Sequence, residues 1–234
     1  MQLFYNSDIS KDSFEFSFDK EESKHIYKVL RKKEGDTIFV TNGLGYLFET
    51  NLIIASEKKC TVKIKSFEKQ ESSKFYLHVV VAPTKMNDRY EWFLEKATEI
   101  GVQEITPIIC DHSERKVIKT ERFFKIIESA MKQSNQFYLP KLNEPVAFKD
   151  FINQNHQGQL LIAHCEESDK KTLKDVIIPR DNYTILIGPE GDFSEKEIKT
   201  ALDKDFIPVS LGQTRLRTET AAIVACHSIV YTNE

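Results

Sequence analysis

From Phe75 to the C-terminus the apolar residues keep changing their period, and this alternation narrows the folds open to the chain more than any other feature. Residues 75–82 (FYLHVVVA) are almost continuously apolar, as in a strand buried on both faces. Asn87 stands where a helix cap belongs, and Tyr90, Phe93, Leu94, Ala97 and Ile100 follow at three-and-four spacing until Gly101 stops them. The exchange then repeats. Strand 104–110 precedes helix 121–134, which carries Phe123, Ile127, Ala130 and Met131 on one side; strands 159–164 and 183–187, helix 195–204, strand 206–210 and helix 219–231 complete the series. Strands alternating with helices predict an α/β fold with a mainly parallel sheet covered on both faces.

The first 70 residues read differently. Thr37–Thr41 and Tyr46–Ala55 are β-rich runs joined across Asn42-Gly43, residues 60–67 alternate as CTVKIKSF, and Phe14, Phe16 and Phe18 alternate as a strand does. One helix, 21–33, interrupts this small all-β unit and sets Ile26, Val29 and Leu30 on one face. The polar stretch 68–74, EKQESSK, reads as a linker between domains 1–72 and 73–234. Up to Lys74 there are 13 basic and 12 acidic residues, and beyond it 20 and 24, so neither half is a basic domain and a polyanion must be held by a local patch. No basic flank leads into an apolar core at the N-terminus, and no run approaches the roughly 18 apolar residues of a membrane span. The expectation is a cytoplasmic protein with no membrane partner. Cys60, Cys110, Cys165 and Cys226 form no CxxC pair and predict buried free thiols with no metal site.

In open α/β sheets ligands bind beyond the carboxyl ends of the strands, so the chemistry belongs in the loops there. Two stand out. Ile187-Gly188-Pro189-Glu190-Gly191-Asp192-Phe193-Ser194 links an apolar strand to a helix opened by Ser194 with Glu197 three residues later, the pattern of a capping box. Gly188 and Gly191 predict a main chain that approaches a ligand closely in conformations other residues avoid, with Pro189 stiffening the turn. The second loop runs from Leu211 through Gly212, Arg215, Leu216 and Arg217 into Thr218, Glu219, Thr220 and Ala221, at the mouth of a helix apolar on nearly every face. Thr218 or Thr220 is expected to cap that helix, whose amino end favours an anionic group. A dinucleotide turn is absent: the strand that would carry it ends Ala82-Pro83-Thr84-Lys85, without glycine.

GPEGDFSEKEI, LGQTRLRTETAA, KMNDRYEWFLEKATEIGV and SERK together resemble the ribosomal RNA small subunit methyltransferase E family of knotted SPOUT methyltransferases, and HIYKVLRKKEGDTIFVTNGLG resembles that family's PUA-like barrel. The likeness covers nearly the whole chain. It implies a SPOUT trefoil-knot α/β domain after a PUA-like barrel, S-adenosylmethionine as cofactor, and methylation of N3 of a uridine in 16S rRNA (the uridine-1498 class of site). It also implies a homodimer, and the weak overall charge points to action on an assembled small ribosomal subunit. Carried over by residue, the cofactor pocket uses His164-Cys165-Glu166, Ile187 to Gly191, and Leu211, Gly212, Leu216, Arg217, Thr218, Thr220 and Ala221. Two departures are Asp192, where many relatives place a third glycine, and Gln136, where an arginine commonly closes the helix.

The reaction suggests the remaining roles. Methyl transfer from a sulfonium is an in-line displacement that demands alignment, and negative charge develops on the uracil carbonyls as the N3 proton leaves. Arg217 is the expected cationic donor and Glu219 the candidate base. RNA phosphate contacts are expected from Arg31 and Lys33 on the β unit and from Lys85, Arg89 and Arg115 on the α/β domain. Trp92, His78 and His227 read as packing residues. The rival readings are a SPOUT RNA methyltransferase acting on ribose 2'-hydroxyls or on tRNA, and an RNA-binding module without catalysis.

Overall fold

The computed structural model describes residues 1–166 and 170–234. The chain divides into two compact units: Met1–Ser72 with Met131–Leu139, and Ser73–Ala130 with Pro140–Glu234. A division at a single linker assigns 131–139 to the second unit, but these residues cluster with the first.

The first unit contains β1 (Leu3–Tyr5), β2 (Glu15–Ser17), α1 (Lys20–Lys24), β3 (Thr37–Thr41), β4 (Tyr46–Ala55) and β5 (Cys60–Lys69), in one sheet ordered β1-β3-β4-β5-β2. Asp19 caps α1 by accepting from the Glu22 N–H. The helix predicted over 21–33 does not persist: after Lys24 the chain makes a π-helical turn, His25–Val29, closed by Leu30 N–H on the His25 carbonyl, and Arg31 is left-handed with φ 54°. That wider turn rotates the apolar stripe. Ile26 is buried among Phe4, Phe18, Val40 and Phe48, whereas Val29 is 66% exposed.

The second unit runs β6 (Tyr76–Val81), α2 (Asn87–Ile100), β7 (Glu104–Ile109), α3 (Thr120–Gln133, of which the part from Met131 clusters with the first unit), β8 (Lys141–Leu142), β9 (Val146–Ala147), α4 (Phe148–Phe151), β10 (Gln159–Ala163), β11 (Lys171–Thr172), α5 (Leu173–Val176), β12 (Asn182–Ile187), α6 (Glu195–Leu202), β13 (Ile207–Ser210) and α7 (Thr218–Asn233). Its sheet is ordered β11-β13-β10-β12-β6-β7-β8, with every pairing parallel. One face buries Val80, Ile108, Ile162 and Leu186 under Phe148, Phe151, Phe193 and Ile198. On the other side α7 packs on β6 and β12 and against α2. Gly101, at φ 105°, ends α2 as its sequence predicts, but Met86 rather than Asn87 holds the N-cap, without a side-chain bond. Ser194 and Glu197 form the predicted capping box on α6. Cys60, Cys110 and Cys226 are buried free thiols, whereas Cys165 is exposed.

At the amino ends of β6 and β7 the unit holds a half-buried polar network. Glu104 accepts from the Tyr76 hydroxyl (2.9 Å), Lys141 Nζ (2.8 Å) and Asn143 Nδ2 (2.7 Å), and His78 Nε2 lies 2.6 Å from Thr106 Oγ1. Burial pushes His78 down from 6.5 to about 4, against the pull of Glu104. Burial by itself raises Glu104, but the bonds from Lys141, Asn143 and Tyr76 together with His78 outweigh it and hold the carboxyl at about 2, below its ordinary 4.5. At neutral pH the 3.9 Å approach of His78 to Glu104 therefore joins a neutral imidazole to a carboxylate.

Both groups bind fewer protons folded than unfolded, so each contributes stability that is present at neutral pH and is lost on acidification, His78 between 6.5 and about 4 and Glu104 between 4.5 and about 2. Glu104→Gln is expected to cost about 1–3 kcal/mol at pH 7 and to flatten the fall in melting temperature below pH 4.5. Thermal melts across pH check this; a variant as acid-sensitive as the wild type would clear Glu104 of the role.

Candidate functional site

The register of the parallel sheet fixes where the loops begin. Ile187 pairs with Val81 on one side and with Ala163 on the other, and Ala163 pairs in turn with Val209. The four carboxyl ends lie in one row, so the loops after β6, β10, β12 and β13 leave the sheet at one level.

Side chains then tie these loops together. The Lys85 N–H donates to Glu190 Oε1 (2.9 Å), and the Cys165 N–H donates to Asp192 Oδ2 (2.6 Å). His112 Nδ1 lies 3.0 Å from the Gly191 carbonyl and 3.1 Å from that of Asp192, so this nitrogen carries the proton. The Ser194 hydroxyl donates to Asp111 Oδ2 (2.7 Å), and the Asp111 N–H to Glu197 Oε1 (2.9 Å).

Three cavities adjoin along the last of these loops. An inner one of about 310 Å³ is lined by Cys165, Ile187 to Glu190, Asp192, Thr218 and Ala221. A second, about 390 Å³, takes in His164, Lys170 and the stretch from Val209 to Thr214. An outer one, about 680 Å³, is lined by Asp88, Arg89, Trp92, Glu219 and Thr220. Arg215 and Leu216 line all three, and Arg217 lines the inner and outer ones. Of the residues picked out in sequence as cofactor contacts, Glu166 and Gly191 line none of the three. Arg215, Asp192 and Lys170 line them without having been chosen; the first two sit inside the chosen loops, whereas Lys170 had no signal.

The glycines do not adopt the unusual backbone expected of them. Neither Gly188 nor Gly191 has a positive φ; the left-handed residue of the turn is Asp192, at φ 63°. A side chain at Gly188 would lie 3.0–3.2 Å from the Phe193 ring and main-chain nitrogen, and one at Gly191 would lie 3.1 Å from His112 Cβ. These glycines admit the protein's own packing. The cap of α7 also differs: Arg217 is the N-cap, with no side-chain bond, and neither Thr218 nor Thr220 caps.

Two buried side chains carry polar atoms without a partner among the described residues. His164 is 8% exposed, yet neither ring nitrogen has a hydrogen-bond partner there. Burial lowers its pKa, Lys170 lowers it further and Asp192 opposes, so the ring presents one donor and one acceptor. Glu219 is 7% exposed; its Oε2 has no partner, while Oε1 lies 3.8 Å from Arg89 Nε. Arg89, expected at RNA phosphate, is thus engaged by the site's own carboxylate. Lys85 Nζ pairs with Glu114 at 2.8 Å, and Arg115 Nε donates to the Val117 carbonyl. Arg31 and Lys33 belong to the first unit. Trp92, expected to pack, is 44% exposed at the outer cavity.

Residues 70–230 match a family model described as an RNA methyltransferase domain, and residues 18–65 one described as an RNA methyltransferase PUA domain. The chain is 32% identical over 234 aligned positions to ribosomal RNA small subunit methyltransferase E of Buchnera aphidicola, covering 96% of this chain and 90% of that one. The enzyme of the same description from Bacillus subtilis is 27% identical, with coverages of 94% and 91%. Among solved structures, the probable rRNA-methyltransferase of Porphyromonas gingivalis superposes with a TM-score of 0.92 at 39% identity, covering all of this chain and 98% of that one. A methyltransferase of Legionella pneumophila, solved with bound SAM, superposes at 0.89 and 28% identity, with coverages of 99% and 98%.

Gly188→Ala is expected to cost about 1–3 kcal/mol, because the added methyl forces apart the turn and the Phe193 ring. Denaturant unfolding measures it; an unchanged midpoint would show that the turn yields freely.

Proposed function

Because the chain belongs to the family of the ribosomal RNA small subunit methyltransferases E, we propose that it methylates N3 of a uridine in 16S rRNA, the uridine-1498 class of site, using S-adenosylmethionine on an assembled small ribosomal subunit. The observation that carries this reading is that the inner and outer cavities share Arg215, Leu216 and Arg217 as lining, so a nucleoside cofactor in the one and a base in the other would meet across these residues.

The residues suit the cofactor. Leu211 and Leu216 give apolar walls, the main chain of Gly188 to Glu190 frames one side, and His164 holds a donor and an acceptor that no described residue uses. When bound, S-adenosylmethionine supplies a methyl group made electrophilic by the sulfonium that carries it. The rest falls to this chain. Alignment of the uracil nitrogen comes from the walls of the outer cavity, where the exposed Trp92 offers a stacking face. Glu219 Oε2, buried and unpartnered, is the acceptor for the N3 proton, and Arg89 on Oε1 keeps that carboxylate oriented. Arg217, between the two spaces, stabilises the negative charge spreading onto the uracil carbonyl oxygens.

Arg31 and Lys33 on the first unit, with Lys85 and Arg115 on the second, serve as phosphate contacts in this reading. The trefoil knot belongs to this reading as well, on the family likeness. So does the homodimer: α7 carries Tyr231 71% exposed on a helix with scarcely any polar face, which suits a second copy better than solvent. Among the described residues, no helix is long and apolar enough to cross a membrane.

Arg217→Ala is expected to lower kcat by about 10²–10³-fold while leaving S-adenosylmethionine binding within about threefold by calorimetry. Glu219→Gln is expected to lower kcat by about 10²–10⁴-fold. The deciding measurement is a map of modified nucleotides in rRNA from cells lacking the protein. Loss of a single N3-methyluridine from 16S rRNA is expected; loss of a ribose methyl, or no loss, would overturn the assignment.

A further inference from the structure

We propose that Asp192 is a positioning residue for the cofactor: its carboxylate straps the turn after β12 to the loop after β10 and so fixes the width of the inner cavity between them. This deepens the methyltransferase reading and rests on it.

The strap is visible atom by atom. Asp192 Oδ1 accepts from the N–H of its neighbour Phe193 at 2.9 Å, which holds the side chain in place, and Oδ2 reaches the Cys165 N–H at 2.6 Å, 27 residues away in sequence. Both oxygens of an ionised group thus take main-chain donors, the stronger kind of hydrogen bond. On the other side His112 Nδ1 donates to the Asp192 carbonyl. The residue adopts φ 63°, a conformation that costs most side chains about 1 kcal/mol and that Asp tolerates because its short carboxylate bonds locally. Glycine would meet that φ more easily and would make no strap.

Among the described residues, the loop's other side-chain ties come from Lys170 alone. Lys170 Nζ donates to the carbonyls of His164 and Glu166, and the Asp192 bond fixes Cys165 between them. Among the described residues the His164 ring adds no hydrogen bond, so packing alone anchors it. Cys165 and Asp192 both line the inner cavity, and Cys165 with His164 lines the next one. Releasing the strap frees the wall that presents His164 and leaves Arg217 and Glu219 where they are. Affinity for the cofactor should fall, and turnover at saturation should not.

The test compares the full-length wild type with Asp192→Gly and Asp192→Asn. S-adenosylmethionine is titrated by calorimetry, kcat is taken at saturating cofactor, and exchange of the Cys165 amide is followed without ligand. For Asp192→Gly the expected results are about a tenfold rise in Kd, kcat within about twofold, and Cys165 exchange at least about tenfold faster with core amides of β10 and β12 unchanged. Asp192→Asn, whose one carbonyl oxygen serves only one of the two donors, should fall between. Wild-type Kd with wild-type Cys165 exchange in the glycine variant would overturn the proposal, as would a loss of kcat at unchanged Kd. If the glycine variant does not fold, an asparagine variant with wild-type Kd would overturn it equally. A wild type that binds no S-adenosylmethionine would instead overturn the methyltransferase reading, and the strap with it.

Discussion

Everything at the candidate site depends on one parallel ladder. β13, β10, β12 and β6 lie side by side with Val209, Ala163, Ile187 and Val81 in register, so four segments distant in sequence end at the same height. A slip of one residue would turn every strand side chain to the opposite face and lift its loop away from its neighbours. The register is secured by burial on both faces, since Val79 to Val81, Leu161, Ile162 and Ile185 to Ile187 are all nearly inaccessible to water. The loops can therefore be spent on polar ties, such as Lys85 to Glu190 and His112 to Gly191, and need not hold the fold.

Much of this could be read from the amino acids, and the failures have physical causes. The long periodic segments were legible because burial on a sheet face or helix stripe repeats, and Ser194 with Glu197 announced its capping box at the correct position. β8, β9 and β11 have two residues each, too few for any period to register. The helix over 21–33 failed because a π turn needs one extra residue per hydrogen-bonded ring and leaves no mark in composition. The GPEG turn is legible from its residues, but its backbone conformation is not. Gly188 and Gly191 are small to admit Phe193 and His112, and the unusual backbone belongs to Asp192, which no rule about glycine would have chosen.

The site's charges show the same division. Arg217 and Glu219 stood out as polar residues at the mouth of an apolar helix, and both line a cavity there. Arg89 also looked like a surface cation, and only its position on α2 reveals that it faces Glu219. Sequence spacing between residues 89 and 219 carries no hint of that meeting. His164 is legible as a loop residue, but that its ring is buried without a partner among the described residues is knowable only from the fold.

The first unit is not one stretch of chain, and that bears on how the molecule is made. Residues Met131–Leu139 complete it: the Gly45 N–H donates to the Phe137 carbonyl, the Leu139 N–H to that of Gly43, and the Thr41 hydroxyl to Phe137 again. During translation the five strands of that unit emerge well before the segment that satisfies their hairpin end. The N-terminal sheet must wait, its β3–β4 connection open to water, until α2, β7 and α3 have also left the ribosome, so the order of synthesis and the order of completion are interleaved.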